Sequence, residues 1–339
     1  MLSDHAQPRG HVERGGTGFR ICTHRLERQD IVAFAAAFDP QAAHLDEQAA
    51  CATPLRGLAA SGWHTCALVA HHLEARLGGE ANYLSTTSVD ELRWLKPIRP
   101  GDVLVGELEW VGSMQCVCEP EWARRAAQIV VRNGLGEVVV RWLGHALYGQ
   151  SPPERTSMCC TPALGCAVGR PRPSKAASRP GDHFVKYFED AVCGDEAELG
   201  SYLFDARNVE LFERIVCGGP RARTQGRVNG WNVMAACMRV IVEYYERQAA
   251  RLAATYHPVP LLGPAMGLRW ARWLAPVSIG DRISFRGWVE HKVSAASAGR
   301  WGLLVAGVEG RNGRGELVVS FYPQFLLERR PPERTTPMP

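Results

Sequence analysis

The chain has 339 residues, 46% of them apolar and 22% charged, with a formal net charge of +4. That length accommodates two ordinary domains with sizeable cores. The mild charge, with no basic patch interleaved with aromatics, excludes a nucleic-acid surface, and no apolar run is long enough to span a bilayer.

The opening "MLSDHAQPRGHVERGG" is polar and has no apolar core of the kind a signal peptide needs, so it reads as a loose arm. "HRLERQDIVAFA" (24–35) then reads as a short strand running into a helix. The next segment, "AAFDPQAAHLDE" (36–47), sets Asp39 and His44 five positions apart around a proline, off any helical period. Ser61 is a good N-cap for the helix that follows, in which Trp63, Cys66, Ala67, Ala70 and Leu77 share one face. After it come strand patterns only. "DVLVGELEWV" alternates, and "AAQIVVRNGLGEVVVRWLGHALY" is two strands around a turn containing Asn-Gly.

Residues 151–182 are rich in Pro, Ser and Gly and read as a linker, and 331–339 as a disordered tail. Eleven cysteines are scattered and never form C-x-x-C. Cys66 and Cys237 fall in apolar helical patterns, where a free thiol acts as a small hydrophobe. Reduced cysteines imply a cytoplasmic protein.

The chain then repeats itself. "LRWLKPIRPGD" (92–102) returns as "ARWLAPVSIGD" (271–281), and "RNGLGEVVV" (132–140) as "RNGRGELVV" (311–319), both 179 positions on. "HRLERQDIVAFA" matches "YLFDARNVELFE" (202–213) at 178, yet "SGWHTCALVAHHLEARL" (61–77) matches "NGWNVMAACMRVIVEYY" (229–245) at 168. The second copy has therefore lost about ten residues opposite the Asp39/His44 segment. Each copy reads as one mostly buried helix wrapped by an antiparallel sheet, an α+β class. The expected organisation is an N-terminal unit at 1–150, the linker at 151–182, a C-terminal unit at 183–330, and the tail.

"FDPQAAHLDE" followed by "GLAASGW" resembles the signature of the MaoC-like dehydratases, also described as R-specific enoyl-CoA hydratases, which have the hot-dog fold. Asp39, His44, Asp46 and Gly62 stand at the positions of the family pattern, and Gln41 and Ala42 replace an Asn-Pro found in many members. The resemblance implies a double hot-dog in which only the first copy carries the motif. It implies Asp39 and His44 as the catalytic acid/base pair, the amide of Gly62 as oxyanion hole, and Gln41, Ser61 and Trp63 as substrate-binding residues. Trans-2-enoyl and 3-hydroxyacyl thioesters of CoA or acyl-carrier protein would be interconverted, with no metal or redox cofactor. The missing segment suggests room for medium, long or bulky acyl chains.

The residue types suit that chemistry. Dehydration removes a weakly acidic α-proton and expels hydroxide, so a proton must be both taken and given. A helix N-terminus offers free N–H groups to a developing enolate. Taken singly, Asp39 is an ordinary turn residue and His44 an ordinary surface or core histidine; only their combination with Ser61-Gly62 points to catalysis. Asp46 and Glu47 read as helix caps, His64 as structural, and the loop from Gly218 and Gly219 into "PRARTQGR" as a weak phosphate candidate. Arg93, Lys96, Arg269 and Arg272 would suit the phosphates of either carrier. A hot-dog thioesterase and a non-catalytic acyl-binding scaffold remain as alternatives, and a homodimer of double hot-dogs is compatible with all of them.

Overall fold

The computed structural model describes residues 18–80, 83–115, 123–149, 186–219, 226–293 and 299–331. The arm, the linker, most of the tail, and Cys116, Cys118, Cys159 and Cys160 lie outside the described residues. The first repeat runs β1 (Phe19–Arg25), α1 (Arg28–Phe38), α2 (Ala42–Leu45), α3 (Glu47–Cys51) and α4 (Gly62–Leu77). It closes with β2 (Tyr83–Trp94), β3 (Val103–Gln115), β4 (Ala123–Arg132) and β5 (Val138–Tyr148). The second runs β6 (Glu196–Leu203), α5 (Ala206–Cys217), α6 (Gly230–Ala254), β7 (Leu262–Trp273), β8 (Arg282–Val293), β9 (Trp301–Arg311) and β10 (Leu317–Glu328). No counterpart of α2 and α3 stands between α5 and α6 among the described residues.

The ten strands form a single antiparallel sheet in the order β1-β3-β4-β5-β2-β7-β10-β9-β8-β6. The second half of that order is the first half in mirror sequence, so β2 and β7 meet at the junction. Their register pairs Ser88 with Arg272 and Arg93 with Gly267, two pairings exchanged by the internal repeat.

The strands alternate inward apolar and outward polar residues, as in β4, where Ala127, Ile129 and Val131 are buried. Both central helices sit in the concavity of the sheet. Every residue from Trp63 to Ala70 is buried, and every residue from Trp231 to Cys237. The first copy's helix is thus enclosed all round at its start, where its periodicity pointed to one face only. Small residues at 66, 67, 70, 235 and 236 leave room for close packing of α4, α6 and the sheet.

The β4–β5 turn differs in detail from an Asn-Gly hairpin. The Asn133 side-chain oxygen accepts the amides of Leu135 and Glu137, its amide donates to Glu137, and the positive φ of 76° falls on Gly136. Asn312, Glu316 and Gly315 repeat the arrangement. The asparagine ties the turn from within, and the left-handed position goes to the second glycine. Among the described residues no helix is long and apolar enough to cross a membrane.

Candidate active site

Pro40 has no N–H and disfavours the helical conformation of the residue before it. Helix α1 accordingly ends at Phe38, and Asp39 takes φ −150° and ψ 67° while its amide still bonds to Ala35 O at 2.9 Å. That break turns the Asp39 carboxylate away from the helix face. One turn later α2 carries His44 back toward it.

Both side chains are buried, Asp39 at 3% and His44 at 7% exposure, so the carboxylate needs donors. Gln41 Nε2 donates to Oδ1 at 2.7 Å, and Ser61 Oγ donates to Oδ2 at 2.6 Å. His44 Nε2 stands 3.5 Å from the same Oδ2. On its other side, His44 Nδ1 lies 2.8 Å from Ala59 O. A carbonyl only accepts, so Nδ1 carries a proton and donates it to Ala59 O, and Nε2 is the ring nitrogen that faces Asp39. Nε2 and the carboxylate at this distance can share a proton or both touch one water or hydroxyl beside them.

Ser61 caps α4 by accepting the Trp63 amide at 3.2 Å while its own proton goes to Asp39. Gly62 is the first helical residue, and no bond from its N–H to a described residue closes the helix before it. The dipole at this end of α4 favours a developing negative charge. Packing requires glycine here: a Cβ would lie 2.5 Å from Trp94 Cε2. The Trp94 indole covers the Cα, and its Nε1 donates to Gly62 O at 3.2 Å.

The structure hydrogen-bonds Gln41 and Ser61 to Asp39, sets His44 Nε2 3.5 Å from the same carboxylate, and places Gly62 next to them. Gln41 spends its amide on Asp39. The Trp63 ring goes elsewhere, packing edge-on against Trp94 and Phe321 at 5.5 and 5.7 Å in the core. Asp46 caps α3 by accepting the Ala49 amide at 2.7 Å. The four candidate phosphate cations are all ion-paired: Arg93 and Arg269 with Glu91, Lys96 with Glu137, and Arg272 with Asp90. Arg272 also donates to Val89 O, which makes it a strut of the repeat junction. Of the loop from Gly218 into "PRARTQGR", residues 220–225 lie outside the described ones.

His64 is fully buried and stacks on Phe34 at 4.5 Å, and neither ring nitrogen meets a hydrogen-bond partner among the described residues. Burial, with help from the charges His24 and His44 can carry, pushes its pKa down to about 3, so the ring is neutral at any working pH. Its twin in the second repeat, Asn232, is equally buried and equally unpartnered.

Sequence reasoning missed two neighbours of this group. Trp94 was hidden because its partner is 32 residues away, although each "NGW" or "SGW" start is matched by an "RW" strand end. Arg99 was hidden likewise, since it reaches the loop before Ser61 from 41 to 44 residues away.

The fold and this site at the start of a buried helix define a double hot-dog. The MaoC like domain family matches residues 14–131, a span that contains Asp39, Gln41, His44, Ser61 and Gly62. Residues 14–131 therefore carry a MaoC like domain. Among solved structures, a MaoC domain protein dehydratase of Chloroflexus aurantiacus matches 97% of this chain and 100% of its own, at 13% identity and TM-score 0.67. A double-hotdog protein of Mycobacterium tuberculosis matches 92% of this chain and 96% of its own, at 16% identity and TM-score 0.61. These two likenesses establish the fold. The uncharacterized protein YdeM of Bacillus subtilis (strain 168) is 31% identical over 90 residues, 26% of this chain; the match spans 63% of YdeM.

Proposed function

We propose that this chain is a hydro-lyase that interconverts trans-2-enoyl and 3-hydroxyacyl thioesters of CoA or acyl-carrier protein, with Asp39 and His44 as its acid/base pair. The observation that carries this reading is the His44 Nδ1 bond to Ala59 O, which turns Nε2 toward Asp39 Oδ2, 3.5 Å away. In hydration, a water held against both gives one proton to the pair as its oxygen bonds to C3. The π electrons move onto the thioester carbonyl, whose oxygen faces the Gly62 amide. The pair returns a proton to C2, so water has been added across the double bond and both residues are restored. Dehydration runs the same steps backwards.

The acyl chain is proposed to be medium, long or bulky, because the described residues of the second repeat hold no counterpart of α2 and α3. Each methylene buried there would gain about 0.8 kcal/mol. The free cysteines among the described residues suit a reducing compartment, and we place the reaction in the cytoplasm.

Loss of the enoyl thioester chromophore without release of thiol is the expected result. Thiol release would make the protein a thioesterase, and neither change would make it an acyl-binding partner. Asp39→Asn and His44→Ala should each lower turnover about a hundredfold or more while the protein stays folded. Near-normal hydration by both variants would remove the pair from the mechanism. A four- to twelve-carbon substrate series should show specificity rising beyond four carbons; a steady fall would withdraw the assignment of chain length.

A further inference from the structure

Arg99 lies in "KPIRPGD", between β2 and β3, and its guanidinium reaches the segment that precedes α4. Nη1 donates to the carbonyls of Gly57 at 2.6 Å and Leu58 at 3.0 Å, and Nη2 donates to the carbonyl of Leu55. Three carbonyls converging on one cation is not a conformation a loop adopts unaided. Arg56 and Gly57 both have positive φ, 54° and 133°, and a Cβ on Gly57 would stand 3.3 Å from Nη1. The chain is bent around the guanidinium.

The residues that follow make up the candidate site. Ala59 N bonds to Ala43 O and Ala59 O takes the His44 Nδ1 proton. Ala60 N bonds to Ile98 O, and Ser61 donates to Asp39. The carbonyl that fixes the tautomer of His44 is thus one residue from the last carbonyl Arg99 holds.

The second repeat supplies the comparison. Val228 N bonds to Val277 O as Ala60 N does to Ile98 O, so the two frames correspond. The twin of Arg99 there is Ser278. The twin of Leu58 O is Gly226 O, which takes an ordinary backbone bond from Ile279 N at 2.8 Å. The first repeat has Pro100 at that position, with no N–H to give. A guanidinium replaces a backbone donor in the one repeat that carries α2, α3, Asp39 and His44.

We infer that Arg99 is a positioning residue of this site: by gathering the carbonyls of Leu55, Gly57 and Leu58 it sets the Ala59 carbonyl that orients His44. The inference rests on the proposed hydratase reading for its kinetic consequence and on nothing beyond the geometry for its structural one.

The test uses the full chain with Arg99→Ala, Arg99→Gln and Arg99→Lys. Misplacing a reacting group by about an ångström costs about a hundredfold, so kcat for an enoyl thioester should fall about ten- to a hundredfold with KM little changed. The pH–rate profile should shift as the Nδ1 bond loosens, and added guanidinium should restore part of kcat to Arg99→Ala. Amide hydrogen exchange at 55–61 should quicken, and the 15N signals of His44 should lose the fixed Nδ1–H pattern. Should the alanine and glutamine variants not fold, Arg99→Lys, which keeps the charge but not the planar fork, gives the same readings. Wild-type kcat and pH profile in a folded variant, or unchanged exchange at 55–61, would overturn the inference. If the wild-type protein proves to have no hydratase activity, the proposed function fails alone, and the exchange and 15N results still decide the role of Arg99.

Discussion

Ser61 uses one oxygen twice, accepting from the Trp63 amide and donating to Asp39. Asn229 caps the second helix in the same way, accepting the Trp231 amide at 2.8 Å, with no carboxylate bonded to it among the described residues. The two caps are therefore a matched experiment. Asn229→Ala should cost about 1 kcal/mol of stability and leave turnover unchanged. Ser61→Ala should cost more, since a hydrogen bond to a charged group adds about 1.5–3 kcal/mol, and should lower kcat because Asp39 Oδ2 loses its close donor. Denaturant midpoints and kcat for both variants check this, and equal kcat values would reduce Ser61 to a cap. His64 offers a second comparison of twins. Its folded pKa lies near 3, whereas an unfolded histidine titrates near 6.5. Between those values the unfolded chain takes up a proton that the folded chain refuses. Stability is thus full above about pH 6.5 and falls as pH drops, by up to about 1.4 kcal/mol per pH unit. His64→Asn, which installs the residue found at the twin position, should flatten the dependence of Tm on pH between 6.5 and 4. His145, lowered to about 4 mainly by burial, leaves some slope in place. Parallel slopes for the variant and the parent would mean that His64 is not the acid-sensitive group. At this scale the sequence offered Asp39, His44 and Ser61 as candidates, because Asp39 and His44 stand in a spacing no helix explains, and the structure brings the three together. It was silent on what each would bond, since Ser61 and Ala59 lie 22 and 15 residues from their partners.

The start of each central helix is built from three residues that lie apart in sequence: a cap, a glycine and a tryptophan from the following strand. Trp94 covers Gly62, and Trp273 covers Gly230, where a Cβ would stand 2.4 Å from its Nε1. Gly62→Ala and Gly230→Ala should each lower stability by about 1–3 kcal/mol, the usual cost of overfilling a packed site. Only Gly62→Ala should also lower kcat, because only there does the first amide of the helix adjoin the proposed acid/base pair. Thermal melts beside kcat measurements separate the two effects, and a kinetic defect in Gly230→Ala would give the second helix a part in the site. The two helix starts also differ: Trp94 donates to Gly62 O, while Trp273 Nε1 has no partner among the described residues. The long helices and the alternating strands were legible from period alone. Helices α2 and α3, of 4 and 5 residues, were not, because each is close to a single turn and too short to show a period. Arg99 escaped for another reason. Its bonds reach far along the chain, and the one trace they leave in the sequence is an arginine that becomes a serine in the second copy.

The two repeats interlock through aromatic side chains that cross between them. Trp63 of α4 packs edge-on against Phe321 of β10, and Trp231 of α6 against Trp142 of β5 at 4.9 Å. Phe321 and Trp142 are twins, so the exchange is reciprocal, and Phe38 against Phe212 adds a third crossing at 5.5 Å. One hydrophobic core runs through both halves. The protein should therefore unfold in a single transition, with calorimetric and van't Hoff enthalpies in agreement. Trp142→Ala should cost about 3–5 kcal/mol and lower the melting of both halves together. Two resolved transitions would show that each repeat is stable by itself. The duplication and the α+β class could be read from the sequence, because repeated motifs and period-2 strands are local. The crossing of aromatics and the joining of β2 to β7 could not, since a repeat has the same pattern whether its neighbour touches it or not. That junction has a consequence for inheritance. When two identical subunits share a sheet, every substitution is made twice, and a change that suits one face of the interface is imposed on the other. Here the copies are encoded separately while the sheet between them stays whole. One copy has kept Asp39, His44 and Arg99, and the other has discarded about ten residues and carries Asn232 opposite His64 and Ser278 opposite Arg99. Joining the halves in one chain is what lets them diverge.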